Sequence, residues 1–179
     1  MADLQPSIPA WDERFVYVSV HDQRARPLLD ELAFEYRSRY ADVLGEDEVR
    51  LEMERYAADS FAAPFGAFVL LLRDGVAIAG GAFMHHSDDD TAEFKRIWAS
   101  RNHRRQGLAR RVLVELEAQA ARQGYKRVYL GTGPRQHEAI ALYRSSGYTL
   151  LSAHDFGENS PPGYIFEKHL TAEEPIHDV

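Results

Sequence analysis

Between residues 67 and 123 three strand-like runs follow one another directly, and a single glycine turn then opens a long helical run. Ala67–Arg73 and Val76–His85 are separated only by Asp74-Gly75, a dipeptide that supplies the positive φ angles of a two-residue hairpin. Ser87-Asp88-Asp89-Asp90 makes the next turn and leads into Ala92–Ala99. Strands joined this closely pair antiparallel, so the chain is expected to contain a three-stranded meander. The third strand runs through Arg104-Arg105-Gln106-Gly107-Leu108-Ala109 into a helix expected from about Gln106 to Gln123, with Gly124 as its C-terminal stop.

The flanking segments fit around this unit. Phe15–Val20 reads as a strand, and apolar residues at 28, 29, 32, 33, 36, 40, 43 and 44 predict a helix over 26–44 that stops at Gly45. Glu46-Asp47-Glu48 favours the positive end of a second helix, expected to reach about Ala58, with a loop over 60–64. Strands are expected at 126–130, 148–152 and 164–169, with a short helix over 137–146 stopped by Gly147 and a loop over 155–163. This order belongs to the α+β class, a mixed sheet with helices packed on it. Residues 15–170 form one domain, residues 1–14 an N-terminal arm and 171–179 an acidic tail, with no internal repeat.

Charge narrows the function. The chain is acidic, with a formal net charge of −7, which disfavours general nucleic-acid binding and fits a cationic substrate. It has no cysteine, which removes disulfides, thiolate nucleophiles and Cys-based zinc sites. No metal site is expected, since His85-His86 lacks the spacing of a ligand pair. The apolar runs are too short to cross a membrane and no secretory signal is visible, so a cytoplasmic location is expected. Against the acidic background, Lys95 to Arg111 contains seven Lys or Arg and no Asp or Glu. A strand, a glycine turn and a helix N-terminus with that charge form a device for holding phosphate, because the first helical turn has unpaired N–H groups and the positive end of the macrodipole. Trp98 is the only aromatic among these basic residues, which disfavours base stacking and hence an RNA surface.

In this setting Arg104–Ala109 is similar to the Gln/Arg-x-x-Gly-x-Gly/Ala motif of the GNAT superfamily of N-acetyltransferases. A second block, Glu138–Tyr148, with its Leu142-Tyr143 pair and Gly147-Tyr148, resembles the final helix of that family. The resemblance covers about residues 15–170. It implies the acyl-CoA N-acyltransferase fold, a twisted, mostly antiparallel sheet with helices on both faces and one splayed parallel strand pair. It also implies acetyl-CoA as cosubstrate. The pyrophosphate is then expected against the backbone of Gln106, Gly107, Leu108 and Ala109, where Gly107 and Ala109 keep the approach open. Arg104, Arg105 and Arg110 add charge, the pantetheine arm pairs with the backbone of Ile97, Trp98 and Ala99, and Gln136 stands where many members hold the cofactor with asparagine.

Acetyl transfer from a thioester to an amine needs a proton acceptor for the amine and a proton donor for the departing sulfur. The resemblance assigns these roles to Glu93 and Tyr143. Glu93 is alternatively an ion-pair partner of a neighbouring Lys or Arg, and Tyr143 alternatively a plain core aromatic. Strand alternation places Glu93, Lys95, Ile97 and Ala99 on one face and Phe94, Arg96 and Trp98 on the other. On the acceptor side the candidates are Tyr36, Tyr40 and Lys95. Lys95 either holds an acceptor carboxylate, which makes the acceptor amino-acid-like, or pairs with Glu93. The expected activity is acetylation of a small-molecule primary amine by direct attack in a ternary complex, by a monomer or homodimer. Acetylation of a protein N-terminus or lysine and non-catalytic acyl-CoA binding are the alternatives.

Overall fold

A computed structural model of the chain describes residues 10–157, 159 and 161–171; the assignment of 1–9 as an arm and of 172–179 as a tail lies outside them. The expected meander is present. β2 (Ala67–Arg73) and β3 (Val76–His85) pair antiparallel across Asp74-Gly75, both at positive φ, and β3 pairs antiparallel with β4 (Thr91–Ala99). β1 (Glu13–Tyr17) adds to the outer edge of β2, from Glu13 opposite Arg73 to Tyr17 opposite Val69. On the other side lie β5 (Arg127–Thr132), β6 (Thr149–His154) and β7 (Gly163–His169), giving a seven-stranded sheet ordered β1-β2-β3-β4-β5-β7-β6. Only β4 and β5 run parallel among these pairs.

Both faces of the sheet are covered, and this fixes the apolar pattern of the central strands. α1 (Arg26–Leu44) packs on one face, with Leu28 in a core of Phe68, Leu70, Leu72, Ala82 and Trp98. α3 (Leu108–Arg122) and α4 (His137–Ser145) cover the other, where Val112, Leu113, Leu116 and Tyr143 meet Val69, Leu71, Phe83, Phe94 and Phe166. A strand buried on both faces is continuously apolar rather than alternating, which is the character of Phe68–Leu72. The segment expected to be helical to about Ala58 is shorter. α2 (Glu46–Glu54) ends early, because the backbone is already extended at Ala57 and a short 3₁₀ turn follows at Ala58–Phe61. That turn buries Phe61 edge-on against Phe68, ring centroids 6.4 Å apart. A tertiary contact overrides the local helical preference here.

Two irregularities in β4 shape the molecule. β4 and β5 are paired only at Thr91–Arg127, Ala92–Val128 and Glu93–Tyr129, after which they part. Opposite β3, Gly80 faces Trp98 and Ala82 faces Lys95, so Gly81 alone confronts Arg96 and Ile97. This is a β-bulge, with Arg96 at φ 61°. The extra residue corrects the alternation expected from the sequence. Glu93 and Lys95 share a face with Trp98, whereas Ile97 and Ala99 join Phe94 on the α3 side.

Gly80 and Gly81 make room for the bulge from opposite sides. A Cβ on Gly80 would lie 2.7 Å from both Leu28 Cδ1 and the Val69 carbonyl oxygen, and one on Gly81 would lie 2.8 Å from Ile97 Cδ1. The obstacles at Gly81 are ends of side chains, but at Gly80 one is backbone and cannot turn aside. Gly80→Ala is therefore expected to cost about 1–3 kcal/mol in urea unfolding, and Gly81→Ala less. The reverse order would show that α3, not the β2 backbone, sets the spacing.

Candidate active site

Where β4 and β5 diverge, the β5-facing edge of β4 has no ladder partner from Phe94 onward. A cleft opens there, with two lobes that share Ile97 of β4, Gln136, Ala139 and Tyr143 of the α4 region, and Leu32, Glu35 and Arg39 of α1. The larger lobe, of about 530 Å³, follows the end of β4 into the loop before α3. The smaller, of about 150 Å³, lies under α2 and is lined by Tyr36, Met53, Tyr56, Lys95 and Arg96.

The larger lobe has the character expected of an anion site. Gly107 caps α3 in the left-handed region at φ 69°, and no side chain accepts from the first turn. The first hydrogen bond closing the helix joins Arg111 N to the Gly107 carbonyl, so the N–H groups of Leu108, Ala109 and Arg110 precede the ladder. They are free to donate outward, with no acidic residue in that turn. Of the three arginines proposed to add charge, two are engaged by the protein. Arg104 Nη2 donates to Glu35 Oε1 at 2.6 Å, and Arg110 ties α3 to the end of α4 through the Ser145 carbonyl at 2.9 Å and the Ser145 and Ser146 hydroxyls. Arg105 is exposed and makes no ion pair among the described residues, so it carries the uncommitted charge of the loop. Nearby, His103 Nδ1 is buried and has no partner among them.

The sequence candidates divide into those on the cleft and those behind it. Ile97, Ala99, Gly107, Leu108, Ala109 and Gln136 line the larger lobe. Gln136 uses its carbonyl oxygen to accept from Gly133 N at 2.9 Å. Trp98 reaches the lobe at the bulged strand, but its indole is turned to the α1 face, where Nε1 donates to Glu31 Oε2. Gln106 is not on the lining; its side chain accepts from Arg73 Nη2 at 3.0 Å. Tyr36 lines the smaller lobe, whereas Tyr40 lies behind the wall. Tyr40 is buried, packs at a tilt on Tyr36 with ring centroids 4.8 Å apart, and accepts from Arg135 N at 3.1 Å, propping the β5–α4 loop where Gly133 leaves it space.

Tyr143 lines both lobes and is 6% exposed, with Tyr148 and Phe166 packed on its ring. Its hydroxyl has no hydrogen-bond partner among the described residues, and burial holds the phenol above the usual tyrosine range. It is therefore a protonated donor at neutral pH. Glu93 is not on the lining. Its carboxylate meets Lys95 Nζ at 3.0 Å, and it is Lys95 that faces the smaller lobe, 4.4 Å above the Tyr56 ring. Burial acts to lower the Lys95 pKa, but the Tyr56 hydroxyl and the Glu93 carboxylate outweigh it and the net displacement is upward. Lys95 stays cationic. Arg96, which alternation turned away from this face, lines the lobe as well. The adjacent glycines Gly80 and Gly81 on the facing strand are a sequence sign of the register shift that brings it there.

Among the described residues no group of three or more His, Asp or Glu is arranged to hold a metal, and no helix is long and apolar enough to cross a membrane.

Comparison with known proteins agrees with this geometry. Residues 25–148 match the profile of the acetyltransferase (GNAT) family. An IAA acetyltransferase of Azospirillum brasilense is 28% identical over 110 residues, 54% of this chain and 72% of that protein. The uncharacterized N-acetyltransferase YjgM of Escherichia coli (strain K12) is 30% identical over 90 residues, 49% of this chain and 54% of its own length. In structure, a PaiA N-acetyltransferase from Thermoplasma acidophilum in complex with coenzyme A superimposes with a TM-score of 0.67 over 88% of this chain and 99% of that one, at 16% identity. The fold is shared at that distance.

Because Tyr40 supports a loop rather than the cavity, Tyr40→Phe leaves the Arg135 N–H without its acceptor. The expected cost is about 1–3 kcal/mol in denaturant unfolding, with ligand affinity unchanged in calorimetry. A weakened ligand with unchanged stability would put Tyr40 in the site.

Proposed function

This chain belongs to the acetyltransferase (GNAT) family, and from that membership we propose that it acetylates the primary amine of a small molecule in a ternary complex with acetyl-CoA. The observation that carries the reading is the pair of lobes meeting at Ile97 and Tyr143. Bound acetyl-CoA supplies an activated acetyl thioester. The α3 N-terminus, with Arg105, is suited to its phosphates, and the unpaired edge of β4 beyond Glu93 is suited to an amide-bearing arm. The smaller lobe, of about 150 Å³ and walled on one side by α2 and Tyr56, fits a small acceptor better than a protein chain.

Proton movements fall to two residues. Tyr143 holds its phenolic proton at the junction of the lobes and is the donor to the leaving side. Glu93 sits one residue before the splay, off the lining and paired with Lys95, so its role as base requires a bridging water. Since the Tyr143 and Lys95 pKa values are both displaced upward, neither group changes charge near neutral pH. The ascending limb of the pH–rate profile is therefore expected to follow the acceptor amine and to move when the amine is changed.

A thiol-release screen over amines, amino acids and short peptides tests the activity, and preference for peptides would overturn the small-molecule reading. Tyr143→Phe is expected to lower kcat by about 10²-fold with acetyl-CoA affinity retained. Glu93→Gln should produce a similar loss at pH 7 that shrinks as the pH rises and the amine arrives already deprotonated. If Lys95→Met reproduces the full Glu93→Gln profile, Glu93 serves only to hold Lys95.

A further inference from the structure

The smaller lobe contains three cations and two carboxylates on its lining, and all but one are matched. Arg39 pairs with Glu138 at 3.0 Å, Lys95 with Glu93 at 3.0 Å, Glu35 with Arg104 at 2.6 Å and Glu52 with Arg55 at 3.0 Å. Arg96 is the exception. Its guanidinium donates to the Met53 carbonyl oxygen at 2.7 Å and to Met53 Sδ at 3.0 Å, and it has no carboxylate at ion-pairing distance among the described residues.

A half-buried guanidinium with only a carbonyl and a thioether as partners is an incompletely compensated charge. Burial lowers its pKa below the ordinary arginine range, and the more distant Glu52 only partly opposes this. Of its five N–H donors, one on each Nη nitrogen is used here, which leaves Nε–H and the other hydrogen of each Nη to receive an oxyanion. The bulge puts it there. At φ 61° Arg96 departs from strand geometry, and its side chain anchors on α2 at the rim of the lobe instead of following the alternation. Beside the charged pairs, the lining includes the apolar and aromatic side chains of Leu32, Tyr36 and Tyr56.

We infer that Arg96 receives a carboxylate of the acceptor, so that the substrates are amino acids, or amines of the same form, with an apolar side chain. This rests on the acetyl-transfer reading for the identity of the lobe as an acceptor site. It reassigns the carboxylate from Lys95, whose charge Glu93 already balances, to the cation that has no acid.

The test separates binding from turnover. N-acetylphenylalanine and N-acetylphenethylamine differ only in the carboxylate and are titrated into the protein by calorimetry, beside turnover with phenylalanine and phenethylamine. Wild type should bind the carboxylated probe about tenfold or more tightly, the scale of one charged hydrogen-bonded contact. Arg96→Asn removes the charge with a residue that tolerates positive φ; it should abolish the preference while coenzyme A affinity is retained, and Arg96→Lys should restore part of it. Equal wild-type affinities, or a preference that survives in Arg96→Asn, would overturn the inference. Carboxylate-dependent binding without acetyl transfer supports this site and overturns the activity. Equal transfer to both amines supports the activity and overturns this site.

Discussion

At Gly81 one residue of β3 confronts two of β4, and that mismatch decides which face each β4 side chain takes in the cleft. Without it, Ile97 and Ala99 would continue on the face of Glu93 and Lys95, and Trp98 would point toward α3. With it, the strand supplies polar groups to the α1–α2 side before the bulge and apolar groups to the α3 side after it. The same extra residue increases local twist, and β4 loses its parallel partner only a few residues earlier, after Glu93. Gly80 and Gly81 allow helices on both faces to come close at this point. Packing from both sides thus holds in place a strand edge that has no backbone partner of its own.

Charge pairing organises the walls. Arg39 and Arg135 join α1 to the β5–α4 loop and the first turn of α4 through Glu138, Asp42 and backbone carbonyls, while Arg104 and Glu35 join α1 to the loop before α3. Several of these side chains are substantially exposed, so each adds little stability by itself. Their effect is positional. They commit Arg39, Arg104 and Arg135 to carboxylates, whereas Arg105 and Arg110 in one lobe and Arg96 in the other have no carboxylate partner among the described residues.

The elements were legible in the sequence where local chemistry determines them. Asp74-Gly75 dictates a hairpin, Gly45 and Gly124 mark helix ends, and 26–44 has an unmistakable helical period; all appear as read. The early end of α2 was hidden because its cause, Phe61 on Phe68, is a contact between distant residues. The bulge was hidden for a related reason. Period-two reasoning assumes an unbroken register, and the residue that breaks it is an arginine, not a glycine that would have marked positive φ. The side-chain partner of Gln106, Arg73 on a separate strand, could not be read from the motif at all.

Among the described residues most of the groups left unmatched follow the cleft, with the buried Gln123 Oε1 at the far end of α3 as an exception. Arg105 and the first-turn N–H groups of α3 stand at one end, followed by His103 Nδ1 and the open edge of β4, then the Tyr143 hydroxyl, then Arg96. Buried polar groups are almost always satisfied in native proteins, and exceptions mark places where function outweighs stability. A single exception would say little. A series of cation, amide-pairing edge, phenolic donor and second cation fits, in order, the ligand pair we propose: phosphates, an amide arm, a reacting carbonyl and an acidic acceptor. On the proposed reading the two substrates meet these groups in turn, and Tyr143, common to both lobes, stands between them.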